Sequence, residues 1–333
     1  MSSPAGGSLA ERLYAQLAIG GFHSGETLAT TLGVSRSGIW KAAGQLRALG
    51  MELHAVPNRG YRLAHASAPL RADAIRAGLD REVAVRLRRG EVAWNTGSTN
   101  ADLLARGELA PGQFDFLLAE YQSAGRGRRG RSWLAPPGGA LCFSCSWSFG
   151  SLPAAASALS LAVGVWTRRA LRRLGVTDVQ LKWPNDLVTP DGKLGGILIE
   201  LRAEASGLAQ VVIGLGLNVV LDRALREQVR ASGTRAVDLQ SLGLGGCDRN
   251  ALAALLLNEF IPGLLQFERE GFAPFIAEWR AADCLRGMPI RFSGGAQGEG
   301  IARGIDASGA LQVLVDGRMQ PLISGEVTVR AQP

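Results

Sequence analysis

The sequence predicts an α+β protein with an N-terminal winged helix-turn-helix, a central α/β domain on a mixed sheet, and a small C-terminal β-barrel. Three observations predict this fold class. Residues 9–63 show helical periodicity followed by a hairpin pattern, residues 66–282 alternate strand-like and helical runs, and residues 283–330 contain short strands separated by tight turns. We therefore expect domains at 1–65, 66–282 and 283–333, in a chain long enough to form three cores.

The N-terminal part has the pattern of three short helices and a wing. Leu9, Leu13 and Leu17 recur at helical spacing, a second helix opens at Ser24, and a third extends over residues 35–49. Two short strands then surround a turn that carries basic side chains. This arrangement is typical of a winged helix-turn-helix.

The basic side chains of this part favour DNA as its partner. Residues 1–65 hold six basic and three acidic residues, a net charge of +3, and the basic ones concentrate on the third helix and the wing. Such a domain places its third helix in the major groove and its wing against phosphate. A winged helix that contacts protein is the alternative. The residues expected to face DNA are Ser35, Arg36, Ser37, Lys41, Arg47 and Arg59.

The central and C-terminal parts follow from strand-like and helical runs. Several predicted strand pairs lack room for a crossover helix, so the central sheet is expected to be mixed or largely antiparallel. Its strands are expected at 115–121, 141–149, 179–182, 196–201 and 210–214, and its helices at 100–106, 154–174 and 249–270. The C-terminal strands are expected at 289–292, 300–305, 311–315 and 327–330.

Composition narrows the class of protein. The 36 basic and 29 acidic residues give a net charge of +7, which favours polyanionic partners such as nucleic acid or nucleotide phosphates. The apolar runs are too short to span a bilayer, and residues 1–7 lack a signal-peptide pattern. The four cysteines suggest no disulfide framework, and no histidine stands at metal-ligand spacing. We expect a cytoplasmic protein with no membrane contact and no tightly bound metal.

The densest cluster of charge lies between Gln122 and Trp133. Four arginines occur within residues 126–131 with no acidic residue among them, and guanidinium groups among glycines suit carboxylate or phosphate oxygens. The segment also fits G-x-G-x-x-G, but residues 133–139 contain two prolines and two glycines, so no helix can follow to bind a pyrophosphate. A nucleic-acid patch and a solvated basic surface stay open as alternatives.

A second cluster extends from Lys182 to Asp186. Lys182 ends an apolar strand, where its charge could neutralise a phosphoryl oxygen. Asn185 and Asp186 follow a proline and could form a turn, or Asp186 could hold Mg²⁺, which needs only one or two carboxylates. The glycines of residues 213–219 allow close approach of a ligand, or equally a kink in a core strand. No P-loop and no serine or cysteine catalytic triad occurs.

Together these segments resemble the bifunctional biotin protein ligase and biotin operon repressor of bacteria. The resemblance covers nearly the whole chain, and the arginine-rich segment and the Lys-Trp-Pro-Asn-Asp motif at this separation are its most specific features. It implies a class II synthetase-like central domain and an SH3-like C-terminal barrel. The Lys193-Leu-Gly-Gly segment departs from the commoner Lys-Leu-Ala-Gly by one methyl group.

The resemblance also implies site residues. The residues implied for biotin are Ser98, Thr99, Asn100, Gln122, Arg126, Gly127, Arg128 and Lys182. Those implied for the nucleotide are Arg131, Trp133, Asn185, Asp186, Lys193 and Asn218. Trp133 is expected to pack against adenine, and Asp186 to hold the magnesium ion. Lys182, Arg126 and Arg128 are expected to carry the catalysis by stabilising phosphoryl charge.

The implied reaction uses ATP and Mg²⁺ to convert biotin into biotinyl-5'-AMP, and then transfers biotin to a lysine of the biotin carboxyl carrier protein. The implied partners are that carrier, operator DNA and a second copy of the chain, which pairs when the adenylate is bound. Two alternatives stay open at this point. One is a biotin-sensing regulator without catalysis, and the other is a lipoate ligase; the fused winged helix and the Ser98–Asn100 triplet favour biotin.

Overall fold

The structure is a computed structural model, which describes residues 7–133, 135–151, 153–203, 209–231, 233, 235–294, 297–323 and 327–331. Residues 1–6, part of the segment that argued against a signal peptide, lie outside the described residues. Within these described residues the strands form three sheets of two, seven and five strands. The winged helix has its own core, whereas the central and C-terminal parts share one.

The N-terminal part forms the winged helix that the sequence predicts. Its helices are α1 (Leu9–Leu17), α2 (Gly25–Leu32) and α3 (Arg36–Ala48), and its hairpin strands are β1 (Leu53–Val56) and β2 (Gly60–Leu63). Each helix is capped by a serine: Ser8, Ser24 and Ser35 accept hydrogen bonds from the first turns of α1, α2 and α3.

The central part is built on a seven-stranded mixed sheet. Its elements are α4 (Ala72–Ala77), α5 (Arg81–Ala84), β3 (Leu87–Thr96), α6 (Thr99–Leu104), β4 (Phe114–Gln122), β5 (Ala140–Phe149), α7 (Leu159–Arg173), β6 (Gln180–Lys182), β7 (Asp186–Thr189), β8 (Gly192–Ala203), β9 (Ala209–Asn218), α8 (Arg223–Ala231), α9 (Arg249–Glu270) and α10 (Ile276–Ala282). The strand order is β3-β4-β5-β9-β8-β7-β6, and among the strand pairs of the described residues only β3–β4 is parallel. The prediction of a mixed sheet is confirmed.

The two faces of this sheet carry different layers. The odd-numbered residues of β9, such as Ile213 and Leu215, belong to the main core with α7 and α9. On the opposite face, Leu103 of α6 packs against Leu117 and Val212 in a smaller cluster. The described part of α9 is long and apolar enough by composition to cross a membrane, but it is mostly buried inside the protein, as expected for a core helix.

The C-terminal part is an antiparallel sheet of five strands. They are β10 (Pro289–Gly294), β11 (Gly298–Ile305), β12 (Leu311–Val315), β13 (Arg318–Leu322) and β14 (Val327–Ala331), in the order β13-β12-β11-β10-β14. The strand β13 was not predicted, because it contains Pro321, which lacks a backbone donor. The strand tolerates this proline since it lies at a sheet edge.

A buried ion pair of the central part also contacts the winged helix. The guanidinium of Arg249, at the start of α9, lies 2.8 Å from the carboxylate of Glu120 on β4, and neither side chain is more than 5% exposed. Arg249 also donates to the hydroxyl of Tyr14 on α1 at 3.0 Å. The chain between the two domains is held here too, because Arg249 donates to Ser67 and Glu120 accepts from the Leu70 amide.

Candidate functional site

The predicted biotin residues lie where α6 meets the ends of the central strands. Ser98 caps α6, and Ser98, Thr99 and Asn100 are all at most 5% exposed. The side-chain oxygen of Gln122, at the end of β4, accepts hydrogen bonds from the Thr99 amide at 2.8 Å and the Thr99 hydroxyl at 3.1 Å. The fold therefore brings these four residues together as a polar cluster beside the sheet.

Two further residues complete this cluster. The Ser144 hydroxyl on β5 donates to Asn100 at 2.6 Å and lies 2.6 Å from the Thr99 hydroxyl. The Asn100 amide donates to Glu200 on β8 at 2.8 Å. Gly214 gives Asn100 its space, because a Cβ at that position would lie 2.5 Å from the Asn100 oxygen. The cluster thus has fixed hydrogen-bond partners and can present oriented donors and acceptors to a polar ring.

The arginine-rich segment folds as a tight hairpin. The Gly127 amide donates to the Arg131 carbonyl at 2.6 Å, and the Trp133 amide donates to the Gly125 carbonyl at 2.9 Å. A single 3₁₀ turn over Arg128–Gly130 closes the tip. Arg126 and Arg131 are exposed, while Arg128 is only partly exposed. The hairpin therefore gathers its cations over a few residues, as anion binding requires.

Arg128 connects the hairpin to the second predicted motif. Its guanidinium donates to the side-chain oxygen of Asn185 at 3.3 Å. Burial lowers the pKa of Arg128, and the nearby charge of Asp186 raises it. A guanidinium remains protonated despite such shifts, so Arg128 supplies a partly desolvated positive charge.

The Lys182–Asp186 motif forms the turn between β6 and β7. Lys182 pairs with Asp186 across these strands, and the Asn185 amide donates to the Lys182 carbonyl at 3.2 Å. The Lys193 amine lies 2.6 Å from an Asp186 oxygen, while the Asn185 side chain donates to the Ile197 carbonyl at 2.8 Å. The interpretation of Asn185 and Asp186 as turn residues agrees with this geometry, and Asp186 also pairs with a cation.

Glycines on β8 and β9 make room for these groups. The Trp133 ring packs against Gly216, where a Cβ would lie 2.5 Å from the indole. The buried Trp133 indole nitrogen has no hydrogen-bond partner among the described residues. At Gly195, the position of the one-methyl departure, a Cβ would lie 2.7 Å from the Gly216 carbonyl. This backbone therefore fits glycine at 195 better than alanine.

Asn218 acts differently from the other predicted nucleotide residues. Its side-chain amide donates to the carbonyls of Val237 at 2.9 Å and Lys193 at 3.3 Å, and the residue is buried. It therefore fixes the backbone beside Lys193, which holds Asp186. The structure places Asn218 in the framework of the site.

A magnesium ion fits the site only together with a phosphate ligand. The described residues contain no group of three or more histidine, cysteine, aspartate or glutamate side chains that could hold a metal ion. Asp186 is a single, partly exposed carboxylate, and Mg²⁺ in nucleotide sites uses one or two carboxylates, water and substrate phosphates. The donor set agrees with an ion that arrives with ATP.

The predicted DNA-facing residues separate into two groups. Ser35 caps α3 and contacts Ser37 at 2.8 Å, and Arg47 donates to the Leu53 carbonyl at 3.0 Å, so these three stabilise the domain. Arg36 and Lys41 are exposed on α3. On the wing, the Arg59 guanidinium lies 4.1 Å above the ring of Phe22.

Comparison with known proteins gives three family matches. The biotin/lipoate A/B protein ligase family matches residues 106–218, an HTH domain matches 10–62, and the biotin protein ligase C terminal domain matches 289–330. The bifunctional ligase/repressor BirA of Escherichia coli K12 is 43% identical over 324 residues, which cover 96% of this chain and 97% of that protein. The chain belongs to the BirA family. The family resemblance predicted from the sequence is confirmed.

Other relatives agree with this membership. A biotin--[acetyl-CoA-carboxylase] ligase of Mycobacterium tuberculosis is 37% identical over 72% of this chain and 88% of that protein. The structure of the Aquifex aeolicus biotin protein ligase in complex with biotin and ATP is 25% identical and superimposes with a TM-score of 0.63, covering 74% of this chain and 100% of that one. The BirA-family chain therefore shares the fold of a ligase that binds both substrates.

Two sets of residues were not predicted from the sequence. They are Ser144 and Glu200, which hold Asn100, and the buried pair of Glu120 and Arg249. One signal was available. Glu120 lies in β4, where most residues are buried and apolar and Asp115 is the other buried carboxylate, and a buried carboxylate needs a partner. The identity of that partner could not be found without the tertiary fold, since Arg249 lies 129 residues later.

Proposed function

We propose that this BirA-family chain is an ATP-dependent, AMP-forming biotin protein ligase that biotinylates a lysine of the biotin carboxyl carrier protein. One observation carries the proposal: the hairpin cation Arg128 contacts Asn185 of the Lys182–Asp186 turn at 3.3 Å. This contact places two cationic segments, distant in sequence, at one site. Adenylation of a carboxylate needs such a site, because it must bring two anions together.

The polar cluster Ser98, Thr99, Asn100 and Gln122 would bind the ureido ring of biotin. Its oriented donors and acceptors would discriminate against an acid without ring polar groups, because such an acid would form none of the hydrogen bonds that the ureido ring offers. Lipoate lacks a ureido ring, so this cluster favours biotin as the substrate. Arg126, Gly127 and Arg128 would cover the biotin carboxylate.

In the first step the biotin carboxylate attacks the α-phosphate of ATP, which releases pyrophosphate and leaves the mixed anhydride biotinyl-5'-AMP. Lys182, Arg126 and Arg128 would stabilise the negative charge that develops on the phosphoryl oxygens. In the second step the carrier lysine attacks the acyl carbon and AMP leaves. No enzyme nucleophile is needed.

The nucleotide would lie along the β8–β9 side of the site. Trp133, which already packs on Gly216, would move or turn to stack on adenine, and Arg131 would reach the phosphates. Lys193 and Asn218 would hold the position of Asp186. Bound Mg²⁺ would neutralise phosphate charge, and Asp186 is the residue that would hold it.

The reaction is tested by incubating the full chain with biotin, ATP, Mg²⁺ and a biotin carboxyl carrier domain, and detecting biotin on the carrier by mass spectrometry. Two variants are compared. Lys182→Ala removes the cation that would stabilise phosphoryl charge, whereas Lys193→Arg is the matched control and keeps a cation beside Asp186. We expect biotin on one carrier lysine, slowed by Lys182→Ala far more than by Lys193→Arg. Unmodified carrier in the presence of all substrates would contradict the proposal and would favour a biotin sensor.

We also propose that the chain is a cytoplasmic protein and that its second activity is repression of biotin synthesis genes. The winged helix presents Arg36, Lys41 and Arg59 on its surface, and two copies of the chain would place two such domains on an inverted repeat. We propose that the adenylate-bound chain forms this homodimer. Footprinting with and without biotin and ATP tests the coupling, and equal footprints in both conditions would contradict it.

A further inference from the structure

An exposed tryptophan lies in the middle of the DNA-facing helix. Trp40 on α3 is 66% exposed. Across the described chain, which includes every tryptophan, tyrosine and phenylalanine of the sequence, no other aromatic residue is exposed. A large indole gains free energy when it is buried, and tryptophan is enriched at binding interfaces.

The neighbours of Trp40 leave it accessible. Arg36 and Gly44 lie four residues before and after it, and Ser37 lies three before, so all three share its face of the helix. Gly44 has no side chain to cover the indole, and a Cβ there would meet nothing within 4 Å. This face is therefore flat and open beside the ring, although glycine lowers helix stability.

The charge around Trp40 favours nucleic acid over a protein partner. No acidic residue occurs between Glu26 and Glu52, an interval that contains α3 and three basic residues. The wing adds Arg59 and Arg62 over the ring of Phe22. A helix with this charge is attracted to phosphate and enters the major groove.

The major groove offers an indole one apolar group, the C5 methyl of thymine. We propose that Trp40 is a specificity-determining residue of operator binding and contacts a thymine methyl group in each half-site. This inference rests on the proposed repressor function. It assigns base recognition to Trp40, while Arg36, Lys41 and Arg59 contact phosphates and set the register.

The test uses an operator obtained by selecting a random duplex pool with the native chain, biotin and ATP. Each thymine of the selected site is then replaced by deoxyuridine, which removes only the methyl group. At the contacted thymines we expect native binding to weaken about fourfold per methyl, the fold-change for burying one such group. Trp40→Ala should weaken operator binding about ten- to hundredfold, as a mismatched base pair does.

The decisive measurement combines the deoxyuridine replacement in the DNA with Trp40→Ala in the protein. In Trp40→Ala the deoxyuridine substitutions should have no further effect, because the partner of the methyl is gone. Ile19→Ala is the matched control, since Ile19 is also an exposed apolar residue of the winged helix. Ile19 lies on the side of this domain that meets the central part, because the adjacent Gly20 borders Ala66. It should bind as the native chain does.

Four results would overturn the inference. Deoxyuridine without effect at every position, or with the same effect in Trp40→Ala, would show that Trp40 reads no methyl group. Operator affinity unchanged by Trp40→Ala would assign the indole to a protein partner. A native chain that selects no sequence would overturn the repressor function as well, and only this result would do so. Circular dichroism confirms that each variant is folded.

Discussion

The Arg249–Glu120 pair allows a quantitative prediction about stability. Replacing Arg249 by methionine keeps the volume of the side chain but leaves the Glu120 carboxylate buried at 5% exposure without its cation. The change also removes the donors to Tyr14 and Ser67. Removing one partner of a buried pair costs about 3–5 kcal/mol. We expect a loss of this size in the free energy of unfolding.

Urea unfolding followed by circular dichroism measures the loss for Arg249→Met, Glu120→Gln and the double variant. The double variant should be more stable than the sum of the single losses predicts, by about 1–3 kcal/mol, since neither residue then leaves a lone buried charge. Arg223→Met is the control, because Arg223 forms an ion pair at the surface. A loss for Arg249→Met no larger than the control's, or strictly additive losses, would refute the reasoning.

Three further predictions concern the site and the fold. Lys182→Ala should slow adenylate formation about 100-fold or more while changing biotin affinity little, as for loss of one transition-state donor; an unchanged single-turnover rate would exclude the role. Gly214→Ala should raise the Kd for biotin at least tenfold, since its Cβ would lie 2.5 Å from the Asn100 oxygen, and calorimetry showing native affinity would be inconsistent with a biotin site there. Glu278→Gln should lower the Tm at neutral pH but not in acid. Arg169 lowers the pKa of Glu278 in the folded chain. The ion pair therefore stabilises the folded chain at pH values above the ordinary glutamate pKa, and this stabilisation is lost as the pH falls through the lowered pKa. A constant Tm difference across pH would count against this.

Local patterns made much of the fold predictable. The helix over Arg249–Glu270 has the bounds that its periodicity indicated, and serine caps located the starts of α2 and α3. The strand β3, which contains two arginines, a glutamate and an asparagine, was missed. It lies at the edge of the sheet, where one side has no strand neighbour and polar residues are tolerated.

The candidate site was predictable only where its chemistry was concentrated in short motifs. The arginine-rich segment and the Lys182–Asp186 motif are visible in sequence because several charged residues stand together. Ser144 and Glu200 are isolated residues in strands, and their contacts with Asn100 depend on strand register. The same limit applies to Asn218, whose role in the framework follows from contacts that only the folded chain defines.

We propose that this site activates biotin with ATP. Biotin-dependent exchange of labelled pyrophosphate into ATP measures that half-reaction without a carrier protein, with lipoate as the control acid and Lys182→Ala as the control variant. We expect exchange with biotin, none above background with lipoate, and little in Lys182→Ala. Tight biotin binding by the native chain without any exchange would contradict it and would leave a sensor that performs no chemistry.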